Sequence, residues 1–141
     1  MIRITLALEY PEREVDGWQH TPTRERGKIY ELVRMAVVGK RPVAADYHGY
    51  QRLLCPHRLG WNQQGRARVL CYQFGGGSQS GLKPAGSPAN WRCIAVENLQ
   101  HVELLEGPWR SAPNHSRPQT CIAEVDVDAE DQPERDPQNG Q

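Results

Sequence analysis

RPVAADYHGYQRLLCPHRLGWNQQGRARVLCYQF, residues 41–74, is the stretch whose reading decides the fold. Three runs of β-favouring residues lie in it, separated by two turn signals. His48-Gly49-Tyr50 divides the first run from the second, and Gly60-Trp61-Asn62-Gln63-Gln64-Gly65 divides the second from the third. Alternation gives each run two faces. Residues 42–48 put Val43, Ala45 and Tyr47 on one side. In residues 51–59, Leu53, Cys55, His57 and Leu59 oppose Arg52, Leu54, Pro56 and Arg58. In residues 66–74, Ala67, Val69, Cys71 and Gln73 oppose Arg66, Arg68, Leu70, Tyr72 and Phe74. Pro56 cannot donate to a ladder and marks an edge or a bulge.

The same region is basic. From Lys40 to Arg92 there are eight Lys and Arg residues against one acid, Asp46. The formal net charge of the 141-residue chain is zero, but it is divided: residues 1–120 carry +6 and residues 121–141 carry −6. A basic body with an acidic tail suits an anionic partner, the tail acting as a competitor or solubiliser.

Working outward, the flanks are local elements. Residues 2–9, IRITLALE, alternate with Ile2, Ile4, Leu6 and Leu8 on one face and predict a strand, followed by a loop over residues 10–23. Ile29, Leu32, Val33, Ala36 and Val37 recur at the spacing of an amphipathic helix over residues 24–40, with Thr23 as N-cap and Gly39 as the stop. One helix is too few for a helix-turn-helix. Residues 75–90, rich in Gly, Ser and Pro, predict a long flexible loop; no Gly-Lys-Ser/Thr follows, so it is not a phosphate loop. Residues 91–109 read as strand, tight turn near Glu97-Asn98, and strand. Residues 110–119 are irregular, and residues 120–130 alternate as a terminal strand, a candidate partner for residues 2–9. From Asp131 the chain is polar and expected to be disordered.

Composition limits the function classes. Thirteen Gly, eleven Pro and a mean hydropathy of −0.73 favour a turn-rich β domain, and no run reaches the length of a membrane span. With no signal-peptide pattern at MIRITLALEYPERE, the expectation is a cytoplasmic protein with reduced thiols. Cys55, Cys71, Cys93 and Cys121 then behave as small hydrophobes. A structural zinc set drawn from Cys55, Cys93, His115 and Cys121 is the competing reading, but no Cys-X2–4-Cys pair supports it. Cys55 and His57 have no orienting third group, so neither catalysis nor a cofactor is expected.

Residues 36–109 resemble the WYL domain, a small SH3/Sm-like β-barrel of bacterial regulators. The pieces run in family order: AVVGKRP, ADYHGYQR, LLCPHRLGW, RARVLCYQF, NWRCIAV and ENLQHVELLEGPW. The Tyr, Arg, Pro-X-X-Leu and later Arg landmarks look like Tyr47, Arg52, Pro56 to Leu59, and Arg92. The naming Trp-Tyr-Leu triplet is here Cys71-Tyr72-Gln73, and the helix-turn-helix that most members carry is not visible.

The resemblance implies an SH3/Sm-like barrel over 36–109; with the flanks read from their own patterns, the expectation is a mainly β protein with an N-terminal strand, loop and helix over 1–35, a C-terminal strand extension over 110–130, and a tail over 131–141. It also implies a ligand sensor for nucleic acid or a nucleotide-like anion. Arg52, Arg58 and Arg92 would pair with phosphate. Tyr47 and Tyr72 would stack on a base, and His57 would supply a donor. The alternative is a protein–protein subunit that joins an effector or DNA-binding partner, or associates with its own copies.

Overall fold

The computed structural model describes residues 23–112 and 121–132. The expected strand over residues 2–9, the loop that follows it and most of the polar tail lie outside the described residues. Within them the fold is mainly β, with one helix, α1 (Thr23–Gly39), and six strands, all pairings antiparallel. The strands are β1 (Val43–Tyr47), β2 (Tyr50–Trp61), β3 (Ala67–Gly76), β4 (Trp91–Ala95), β5 (Leu99–Leu104) and β6 (Glu124–Asp128). No helix among these residues is long and apolar enough to cross a membrane.

β2 is the organising strand because it is long enough to serve two partners on one edge. Tyr50–Leu54 pairs with β1, and Arg58–Trp61 pairs with β6. Between those ladders lies Pro56, which has no N–H to offer. β3 runs along the other edge, and the path continues as β4-β3-β2-β1-β5. The terminal strand pairs with β2, and the suggested pairing with residues 2–9 lies outside the described residues.

The tight turn at His48-Gly49 forms as expected. Both residues have positive φ, 50° and 84°, the backbone that matches the right-handed twist of a two-residue hairpin. At the second turn, the Asn62 side-chain oxygen accepts from the backbone N–H of Gln64 and of Arg66, each at 2.9 Å.

One inserted residue changes the facing of β2. The register slips between Pro56 and Arg58, so His57 is extra against β3. Before the bulge, Arg52 and Leu54 look inward; after it, Leu59 does, opposite Val69. Strict alternation had put Arg52 and Arg58 on one face, and the bulge separates them.

The inner face holds the main core. Ile29, Val33, Ala36 and Val37 of α1 pack on Val43, Leu54, Leu59, Val69 and Ile94. Leu32, expected in the buried stripe, is only half-buried, and Tyr30 packs at the core margin instead. The sheet curls over this core but is not closed by a ladder. Across the gap, the Tyr47 hydroxyl accepts from the Ala95 backbone N–H at 3.0 Å.

A second cluster, Cys55, Leu70, Tyr72, Trp91 and Ile122, lies on the outer face with Trp109 against it. Cys93 and Cys121 are joined there by a disulfide, which corrects the expectation of four reduced thiols; Cys55 and Cys71 are free and buried. The correction arises because β4 turns Cys93 to the side of Leu70, where the C-terminal segment returns.

The helix ends at Gly39, the expected stop, but a different residue makes the turn out of it. Lys40, not Gly39, takes the left-handed backbone, with φ 51°. Arg41 N–H donates to the Ala36 carbonyl at 2.9 Å and Lys40 N–H to that of Val37 at 3.4 Å, a Schellman closure. A lysine there costs about 1 kcal/mol in backbone strain, and its buried side chain, 5.7 Å from the Trp109 ring centroid, offsets that cost.

α1 is also tied to β6. The Tyr30 hydroxyl donates to the Asp126 carboxylate, and Arg34 Nε pairs with the same oxygen at 3.2 Å. Burial and Asp126 push the Tyr30 hydroxyl above its ordinary pKa, and the Tyr30 hydrogen bond, then Arg34, hold Asp126 below the usual carboxylate value. The depressed carboxylate contributes stability above the unfolded value, about 3.9, and loses it as pH falls through its folded value. The raised phenol contributes below about 10 and loses it as pH rises through its folded value. A Tyr30→Phe/Asp126→Asn double-mutant cycle should give a coupling of about 1–2 kcal/mol, flat from roughly pH 5 to 9 and shrinking at both extremes. Chemical denaturation across pH checks it, and a coupling unchanged at pH 3 would contradict this assignment.

Candidate anion site at the end of the inner face

The inward stripe of β3 runs Val69, Cys71, Gln73, and its last member is an amide with no exposed surface. A buried amide must satisfy two donor and two acceptor positions. The Gln73 NH2 donates to the carbonyls of Gly75 at 2.9 Å and Gly77 at 3.0 Å. Its oxygen accepts from Arg92 Nε at 3.2 Å and, at the long limit of 3.5 Å, from Arg52 Nη1. Guanidinium only donates and a peptide carbonyl only accepts, so the orientation of the amide is fixed by its neighbours.

Two cations therefore converge on one neutral oxygen. Arg52 is 5% exposed and Arg92 half-buried, and neither has a carboxylate in ion-pair range among the described residues. Arg52 Nε is buried with no hydrogen-bond acceptor. Its charge lies instead beside two aromatic faces, 5.1 Å from the Tyr47 ring centroid and 5.7 Å from that of Tyr50. Desolvation, then the neighbouring Arg92, lowers the Arg52 pKa; desolvation lowers that of Arg92. Arginine starts so high that both remain cations at neutral pH.

Glycine builds the wall of the site. A side chain at Gly76 would put its Cβ 2.2 Å from the Gln51 carbonyl oxygen, and φ there is +79°. Gly77 lies against the Tyr50 ring, and its N–H donates to the Gln51 carbonyl at 3.0 Å. Arg92 reaches over the following loop to Ala89 O at 2.8 Å, Gly81 O at 3.1 Å and Ser78 Oγ at 3.5 Å. The segment expected to be a flexible loop is thus fastened to the sheet by side-chain hydrogen bonds.

The remaining residues singled out in the sequence lie elsewhere. Tyr47 joins Arg52 and Arg92, but its hydroxyl is engaged with Ala95. Arg58 pairs with Asp128, directly opposite on β6, at 2.7 Å. His57 is 2% exposed, stacked on Trp109 at 3.9 Å and edge-on to Trp91 at 4.7 Å. Tyr72 is buried on the outer face and donates to the Ser87 carbonyl at 3.0 Å. Arg41 and Arg68 are paired with Glu106 and Glu97. Among the described residues, no group of three or more His, Cys, Asp or Glu is arranged to hold a metal; His115 lies outside them.

Gln73, Tyr50 and Ser78 were not among the sequence candidates. The available signal was an amide ending an otherwise apolar inward stripe. Gln73→Leu keeps the volume but strips four hydrogen bonds, leaving two part-buried carbonyls and two guanidiniums without that partner. We expect a loss of about 2–4 kcal/mol, together with faster amide exchange in residues 75–81. Urea titration and hydrogen exchange measure both; a loss below about 0.5 kcal/mol would remove Gln73 from its central role. No family model matches this chain, nor does any curated protein or solved structure.

Proposed function

We propose that the protein is a non-enzymatic, WYL-like ligand-sensing module that binds a nucleic acid or nucleotide-like anion at Arg52 and Arg92. The observation that carries this reading is the convergence of two guanidiniums, without a carboxylate among the described residues, on the Gln73 oxygen. A phosphoryl oxygen is a stronger acceptor than an amide oxygen, and it adds the negative charge that the cluster lacks. Tyr50, 40% exposed beside Arg52, offers a face on which a base can stack.

Fluorescence anisotropy with short labelled single-stranded DNA and RNA, across salt, tests the proposal. Binding should weaken with salt, and Arg52→Ala and Arg92→Ala should each lower affinity by about tenfold and reduce the salt slope by about one. No binding at low salt, or binding with no salt slope, rules out phosphate recognition.

The same reading predicts a trade between stability and binding. A buried charge without a counter-ion opposes folding. Arg52→Met, which keeps an apolar body of similar length, should leave stability unchanged or raise it by about 1 kcal/mol while lowering anion affinity by about tenfold. Thermal melts with and without phosphate decide this: phosphate should raise the wild-type Tm by more than it raises that of the variant.

A further inference from the structure

We propose that a cavity on the outer face of β3, beneath the loop of residues 78–90, is a second ligand site whose occupant is a small aromatic anion. It lies across the strand from Gln73, since Tyr72 and Phe74 belong to the outer cluster and Gln73 to the inner stripe. Its volume is about 550 Å³, within the range of sites that enclose a small organic molecule.

The chemistry of the lining narrows the occupant. Tyr72 and Phe74 are its aromatic residues, Leu82 and Ala85 add apolar surface, and Lys83 and Arg110 supply two cations. Among the described residues no carboxylate lines it. The guanidinium of Arg110 rests 4.2 Å from the Phe74 ring centroid, and with no acceptor for its N–H edge among the described residues it can meet an acid group held on the same ring surface. A sugar is a poor fit, because two of the three neutral polar side chains of the lining are already engaged and only the Ser111 hydroxyl is left to meet it. The Tyr72 hydroxyl donates to Ser87 O, and the Asn90 amide donates to Lys83 O and Pro84 O. What remains is a ring-sized apolar surface with positive charge at its edge.

The loop bordering the cavity is built in advance. Asn90, 1% exposed, holds Lys83 from both sides, accepting its N–H at 2.8 Å and donating to its carbonyl at 3.0 Å. Arg92 fixes Gly81 and Ala89 from the inner side. A loop so fastened loses little freedom when a ligand enters.

The test uses the full chain and two dyes: 8-anilinonaphthalene-1-sulfonate, an aromatic anion, and N-phenyl-1-naphthylamine, its uncharged counterpart. The sulfonate should bind at one equivalent with blue-shifted emission. Arg110→Gln and Lys83→Gln replace exposed side chains and should each weaken it by about tenfold, while the neutral dye changes by less than about twofold. Arg52→Ala should leave sulfonate binding unchanged, which keeps this site separate from the one on the inner face. Sulfonate affinity that neither Arg110→Gln nor Lys83→Gln alters, or that Arg52→Ala abolishes, overturns the proposal. Circular dichroism of each variant confirms that the fold is retained.

Discussion

The end of the inner face depends on one buried amide. Gln73 spends its two donors on the glycine turn that ends β3 and its oxygen on two arginines, so turn, sheet and charge cluster share a single side chain. Buried polar networks of this kind are costly when incomplete and specifying when complete. The close approach of Gly76 to β2 admits no Cβ, and the network turns that approach into a fixed wall.

From that amide the electrostatics of the domain can be sorted. Of the eight basic residues between Lys40 and Arg92, Arg41, Arg58 and Arg68 are balanced by Glu106, Asp128 and Glu97. Those acids come from the C-terminal side of the basic stretch, and β5, β6 and the turn before β5 carry them back to it. The like charges of Arg52 and Arg92 are left facing each other across a neutral oxygen, and a fold tolerates that only where packing elsewhere offsets it. Here the offset comes from two separate apolar clusters, one on each face of the sheet.

Much of the architecture was legible in the sequence because it rests on local signals. Period-two runs gave β1 to β4 nearly to their ends, while β5 stops at Leu104, short of the residue 109 expected; His48-Gly49 gave the hairpin, and the 3-4 spacing of Ile29 to Val37 gave the helix face. The site was harder to read, for reasons that can be named. The extra residue at His57 reverses facing partway along β2, so parity could not tell that Arg52 and Arg58 part company. The bringing together of Arg52 and Arg92 depends on register across β3, which no single strand encodes. Ion pairing depends on acids many residues away. The Cys93–Cys121 bridge likewise needs the path of the returning segment, which alternation within either run does not contain.

That bridge has a topological consequence. Residues 93–121 form a covalently closed loop, with β5 inside it and β6 just beyond its far end. A backbone cut in the stretch after β5, such as between Glu106 and Gly107, would not divide the molecule: β6 and its acids would stay joined to β4 through sulfur. The loop is therefore a place where new chain ends can be opened while the two ladders on β2 stay tethered to each other.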